Sequence, residues 1–133
     1  MDIEVYFEEG AKVNARLGKH VIKTDQKVHG GGEDSAPAPF DYFLASLVTC
    51  AGIYVKGFCM QRGISTDGIR IIQDAEPGSQ PGLLGKIKLR IEVPQDFPEQ
   101  YKNAVIQAAS LCAVKKHMET PPAFDITVES TDD

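Results

Sequence analysis

From Phe40 to about Arg62, apolar residues recur at helical spacing: Phe40, Phe43, Leu44, Leu47, Val48, Ala51, Val55 and Phe58. Pro39 opens this segment, where its fixed φ suits a first helical turn. The stripe spreads over most sides, so the predicted helix is central and buried. Small residues from Ala45 to Gly52 let a neighbour come close. With 133 residues, 42% of them hydrophobic and 25% charged, the chain is one ordinary soluble domain, residues 1–133. A monomer of that size with two helices cannot cover such a helix all round. An obligate homodimer is therefore expected, with an interface of over ~2,000 Å² in total.

The first third reads as short strands. Ile3, Val5 and Phe7 alternate with charged residues, Val13 and Ala15 alternate again, and Val21-Ile22 follow a Gly18 turn. The run GGGEDSAPAP from Gly30 to Pro39 is punctuation; it lacks the GKS/T ending of a phosphate loop and any strand immediately before it. Ile69 to Gln73 and the alternating Leu84, Ile87, Leu89, Ile91 and Val93 predict a hairpin across PGSQPG. A second helix is predicted from Pro98 to about Met118, with Tyr101, Val105, Ala108 and Cys112 on its core stripe. Phe124 to Val128 completes the pattern as a last strand, and 129–133 is a polar tail expected to fray. The order β-β-β, α, β-β, α, β implies an α+β domain, two helices packed on antiparallel β-sheet.

Charge and cysteine usage narrow the function. Net charge is −5, with no basic run longer than Lys115-Lys116, which argues against nucleic acid and anionic membranes as partners. The start Met1-Asp2-Ile3-Glu4 has no basic leader, and no stretch is read as approaching the ~20 apolar residues of a membrane span. The expected location is the cytoplasm, where cysteine pairs are more often catalytic, redox-active or metal-binding than structural. No CxxC, HxxxH or CxxH spacing occurs, so no metal is expected. His20, His29 and His117 read as surface residues, His117 with the cation preference of a helix end.

Cys50 and Cys59 lie nine residues apart in the first helix, on opposite faces and roughly 13 Å apart along its axis. A disulfide needs Cα atoms within about 7 Å, so a partner for Cys50 in this chain must come from the second helix, where Cys112 is the candidate. Cysteine is also among the most buried residue types and often only fills space; Cys59, beside Gly57 and Phe58, keeps that reading.

The run Pro37-Ala-Pro-Phe-Asp-Tyr-Phe-Leu-Ala-Ser-Leu-Val-Thr-Cys50, followed downstream by Leu111-Cys-Ala-Val114, resembles the OsmC/Ohr family of osmotically inducible and organic hydroperoxide resistance proteins. Length and element order agree nearly from end to end. The resemblance implies an OsmC-like fold in an intertwined homodimer, with central helices, sheets outside and active sites at the interface. It further implies that Cys50 is the thiolate that attacks an organic hydroperoxide, and that Cys112 resolves the resulting sulfenic acid into a disulfide. Ala15-Arg16-Leu17-Gly18 is the best match to the turn that carries the family's thiolate-stabilising arginine. Arg16 is accordingly read in two ways, as that cation or as a solvated turn residue.

One position departs from the pattern. The hydroperoxide-resistance branch places glutamate directly after the proline, whereas Phe40 follows Pro39 here, indicating a divergent OsmC-like branch. Asp41, one residue on, is either a supporting acid or a first-turn acid suited to the helix dipole. Phe40 and Phe43 suggest an apolar pocket and equally suit a core. The leading expectation is a thiol peroxidase that draws electrons from a dithiol and needs no bound cofactor. The alternatives are an OsmC-like module that binds a small apolar or thiol-reactive ligand without catalysis, and a structural dimer with inert cysteines.

Overall fold

The computed structural model describes residues 2–131. They fall into two compact units, one ending at Ser46 and the other beginning at Leu47.

In the first unit, β1 (Ile3–Phe7), β2 (Val13–Leu17) and β3 (His20–Thr24) form an antiparallel sheet in the order β1-β2-β3. Its register sets Ile3 opposite Leu17, Val5 opposite Ala15 and Phe7 opposite Val13, so the alternation in sequence becomes one apolar face. Gly18, at φ 57°, leads the two-residue turn between β2 and β3, a position that suits glycine in a tight hairpin. The loop beyond β3 is organised by Asp25, only 1% exposed. Its carboxylate accepts from the backbone N–H of Gln26, Glu33 and Ser35 and from the Ser35 hydroxyl at 2.6 Å. These bonds hold the carboxyl down at about 2, the Ser35 hydroxyl first among them.

Helix α1 (Pro39–Gln61) starts at the predicted proline. The backbone N–H of Ala38 donates to Asp41 Oδ2 at 2.9 Å, so this first-turn acid caps the helix entry. At the other end, Ile64 N–H bonds Cys59 O at 2.9 Å and Gly63 N–H bonds Met60 O at 3.3 Å, with Gly63 at φ 65°. That pair of bonds is the Schellman arrangement, which explains why the helix stops short of Gly63. Only Asp41 and Lys56 interrupt α1 with charge, and an 18-residue window of it has mean hydropathy 1.6. By length and composition it is long and apolar enough to cross a membrane, which corrects the expectation that no stretch approaches this. Small uncharged residues diluted the run in sequence without making it polar.

In the second unit, β4 (Arg70–Pro77) and β5 (Leu84–Glu92) form the expected hairpin. The core gathers Val55, Phe58 and Cys59 of α1 with Phe97 and Val105, and Ile69, Ile71, Ile91 and Val93 pack against it. Arg62 closes one side, its guanidinium 3.7 Å from the Phe58 ring centroid.

Two expectations are corrected here. The predicted helix 98–118 is broken: a short 3₁₀ turn at 99–101 leads into α2 (Lys102–Ala109), and α3 (Ala113–Glu119) follows after a gap. The Ser110 hydroxyl bonds back to Ile106 O at 2.9 Å, its N–H is shared between Ile106 O and Gln107 O, and Leu111 N–H tightens onto Ala108 O. Such bonds end a helix without any glycine or proline to announce it. The second correction concerns Phe124 to Val128, which forms no strand among the described residues. Phe124, Ile126 and Val128 are 86%, 90% and 96% exposed. Alternation makes a strand only where another edge takes its hydrogen bonds. Residues 129–131 are exposed and without regular structure, and 132–133 of the expected tail lie outside the described residues.

Candidate active site

The break between α2 and α3 shapes the site. Cys112 is not in mid-helix as the stripe suggested but at the N-cap of α3, with extended backbone at φ −48° and ψ 122°. Its sulfur accepts from Lys115 N–H at 3.4 Å and lies 3.8 Å from Leu47 O of α1. An N-cap side chain turns toward the first amides of its helix. That geometry points the thiol at the face of α1 carrying Leu47 and, three residues on, Cys50.

The Cys112 thiol donates to Leu47 O and is close enough to Cys50 for each thiol to shift the titration of the other. The backbone N–H groups of Val114 and Ala113 and the Cys112 thiol favour the Cys50 thiolate. They pull its pKa below the ordinary thiol value, Val114 N–H contributing most. Cys112 moves the other way. It is 2% exposed, and burial pushes its thiol up, with the Cys50 sulfur adding to the effect. The two thiols are shifted in opposite directions, although the residue types are identical. Cys50 is half-buried and so keeps a path to solvent, while all three cysteines are free thiols.

Cys59 is separate. It is fully enclosed in the core, and burial pushes its thiol up, with nearby Arg62 offsetting only part. Its surroundings are those of an inert, space-filling sulfur.

The remaining predicted residues lie in the first unit and take partners there. Arg16 stands in β2 rather than in the turn. Its guanidinium pairs with Glu4 at 3.1 Å and lies 4.0 Å from the Tyr6 ring centroid. Glu4 is its cross-strand neighbour in the register, which accounts for the pairing. Asp41 is engaged with Ala38 as the helix cap. Phe40 and Phe43 stack with centroids 5.3 Å apart, and Phe40 is more than half exposed. Among the described residues, no group of three or more His, Cys, Asp and Glu is placed to hold a metal ion.

Sequence reasoning missed the backbone donors of Ala113 and Val114 and the Leu47 carbonyl. No side-chain signal could have revealed them, because they become available only through the break at 110–112.

A helix-borne cysteine facing a second cysteine at a helix break is a specific arrangement, and the family model for OsmC-like protein matches residues 31–127, which include both cysteines. The chain belongs to the OsmC-like family. Solved structures agree on the fold of this OsmC-like protein. A Psychrobacter arcticus 273-4 protein described as an osmotic stress induced and detoxification response protein superposes with TM-score 0.72 at 19% identity, over 86% of this chain and 85% of that one. An OsmC like protein from Mycoplasma pneumoniae gives TM-score 0.69 at 14% identity, over 90% and 87%. An organic hydroperoxide resistance protein OsmC from Legionella pneumophila gives 0.57 at 14%, over 88% and 87%. At these identities the likeness is one of fold. No curated protein matches the sequence.

Proposed function

We propose that this OsmC-like protein is a cytoplasmic thiol peroxidase that reduces organic hydroperoxides in oxidative-stress defence, with Cys50 as nucleophile and Cys112 as resolving thiol. The observation that carries the reading is the opposed tuning of two neighbouring thiols: Val114, Cys112 and Ala113 lower the Cys50 pKa, while burial raises that of Cys112. Environments that push two like groups apart assign them different tasks.

In the proposed reaction the Cys50 thiolate attacks the terminal peroxide oxygen. The O–O bond breaks, and the alkoxide leaves and takes a proton to become the alcohol. Cys50 is now a sulfenic acid. The Cys112 thiol gives up its proton and attacks the Cys50 sulfur, the S–O bond breaks, water departs and the disulfide forms. An external dithiol returns both cysteines to thiols by exchange, becoming a disulfide itself. Arg16 is assigned as a supporting cation, with Asp41 as the acid nearest the family's missing glutamate and Phe40 and Phe43 as apolar contacts for the organic group of the substrate.

A homodimer is part of the proposal. Of α1, only Leu47, Ala51, Val55, Phe58 and Cys59 are buried, whereas Ile53 and Met60 are 61% and 69% exposed. In the first unit, Ile3, Val5 and Phe7 remain more than half exposed on one sheet face. Apolar surface on that scale suits a partner, and a second copy is the proposed one.

The discriminating experiment uses Cys112→Ser with one equivalent of cumene hydroperoxide and a sulfenic-acid trap. Labelling at Cys50 alone supports the reading. No labelling, with all thiols retained, favours the ligand-binding module.

A further inference from the structure

Cys112 is displaced from the helix that precedes it. In an uninterrupted helix its N–H would bond to Ala108 O, and its side chain would continue the buried stripe of α2 beyond Val105. Val105 is 2% exposed, and Ala104, Ala108 and Ala109 pack against the core, so α2 itself is anchored. Instead Leu111 N–H takes Ala108 O at 3.1 Å, one residue early. Cys112 then turns to ψ 122°, against about −42° in a helix.

The displacement begins at Ser110. Its hydroxyl donates to Ile106 O at 2.9 Å, and its N–H is divided between the same carbonyl at 3.1 Å and Gln107 O at 3.2 Å. A serine that bonds back four residues competes with the backbone donor for that carbonyl and bends the helix. The Ser110 backbone, at ψ −8°, has moved from the helical value toward zero. The bond from Leu111 to the carbonyl three residues back continues this tightening, and Cys112 loses its helical acceptor.

Outside the helix, Cys112 is the N-cap of α3. Its sulfur accepts Lys115 N–H at 3.4 Å, and its thiol donates to Leu47 O at 3.8 Å. Leu47 stands three residues before Cys50 on α1, and residues at that spacing share a helix face. The thiol is thereby held on the face of α1 that carries Cys50. Ser110 is exposed, as is Leu111 at 48%, so the serine contributes through its bond to the α2 backbone rather than through core packing.

We infer that Ser110 is a positioning residue for the resolving step: its bond to Ile106 O ends α2 where the Cys112 thiol can be aimed at Cys50. The inference rests on the pairing of Cys50 with Cys112 in the proposed peroxidase and adds to it a residue that acts only through Cys112. The step served is closure of the disulfide. From the Cys50 sulfenic acid, the Cys112 sulfur forms the S–S bond, the S–O bond breaks, and the hydroxide leaves as water with the Cys112 proton. Diamide reaches the same closure by another route. The Cys50 sulfur adds to its N=N bond, Cys112 then breaks the S–N bond, and the nitrogen takes the Cys112 proton, so that two thiols are oxidised and diamide is reduced to its hydrazine.

The test compares the full-length parent, Ser110→Ala and Ser110→Thr in two arms, one oxidised with cumene hydroperoxide and one with diamide. Quenched samples read by mass spectrometry separate first modification of Cys50 from closure of the Cys50–Cys112 disulfide. In Ser110→Ala, first modification is expected at the parent rate, while closure slows roughly ten-fold or more, the scale of a misplaced reacting group. Ser110→Thr keeps a hydroxyl for Ile106 O and is expected to restore closure. Parent-like closure in Ser110→Ala overturns the inference, as does a loss that Ser110→Thr shares, a loss that falls equally on first modification, or failure of diamide to join the two cysteines in the parent. If the diamide arm shows the slowing and its rescue while hydroperoxide leaves the thiols intact, the positioning role stands and the peroxidase reading fails.

Discussion

Cys112, at the N-cap of α3, donates its thiol to Leu47 O at 3.8 Å, three residues before Cys50 on α1, and the amides of Val114 and Ala113 together with this thiol lower the Cys50 pKa. One chain break thus supplies both the partner thiol and the groups that favour the thiolate. Activation of this kind relies on backbone, which no single side-chain substitution removes.

Cys50 is therefore expected to react with iodoacetamide before Cys112 and Cys59, with a pH midpoint below the ordinary thiol value of 9.0. Because the folded pKa is lowered, the ionised form adds stability that is complete above the unfolded pKa and is lost as pH falls through the folded one. Mass-spectrometric mapping of the alkylation order against pH checks this. A midpoint for Cys50 at or above 9.0 counts against it.

Arg16 separates the two kinds of support. Arg16→Ala is expected to slow the hydroperoxide reaction while the dimer persists, and Arg16→Lys to restore only part, since an ammonium lacks the planar fork. The exposed pair with Glu4 is worth at most about 1 kcal/mol, so stability changes little. Stopped-flow rates on the three proteins decide the matter; equal rates confine Arg16 to its contacts with Glu4 and Tyr6.

The loop after β3 depends on Asp25 being ionised. Its pKa is lowered from 3.8 to about 2, so its contribution is present above pH ~4 and is lost as pH falls toward 2. Asp25→Ala is expected to lower Tm at neutral pH, with the gap to the parent closing as pH approaches 2. In the same loop, a Cβ at Gly32 would meet Gln26 O at 2.1 Å and Asp25 Oδ1 at 2.6 Å. Gly32→Ala is expected to destabilise by roughly 1–3 kcal/mol, measured by urea denaturation.

Cys59→Ala is expected to cost roughly 1–2 kcal/mol through lost core packing and to leave the redox chemistry of the other two cysteines as it was. Equilibrium unfolding together with thiol counting checks both halves.

Much of this arrangement was legible in the sequence because local and global signals agreed. Pro39 and Gly63 bracket α1, the alternation in β1 to β3 matches the observed register, and the opposed faces of Cys50 and Cys59 pointed to Cys112. The break at Ser110 to Cys112 was not legible. The stripe Tyr101, Val105, Ala108, Cys112 keeps helical spacing through it, and the signal that ends α2 is a serine bonding back to Ile106, which many uninterrupted helices tolerate. The tail from Phe124 to Val128 misled for the opposite reason, since its local pattern is that of a strand while strand formation depends on a neighbour. Arg16 was placed by resemblance on a turn, and cross-strand pairing with Glu4 sets it in β2 instead.

The central claim is that Cys50 and Cys112 act as one redox pair on an organic hydroperoxide. Anaerobic thiol titration before and after one equivalent of cumene hydroperoxide, with mapping of the product, tests it most directly. The account predicts rapid loss of two thiols per chain, a Cys50–Cys112 disulfide, Cys59 untouched and full recovery with a dithiol. Three thiols still titrating after the hydroperoxide, or the same loss in Cys50→Ser, would contradict it.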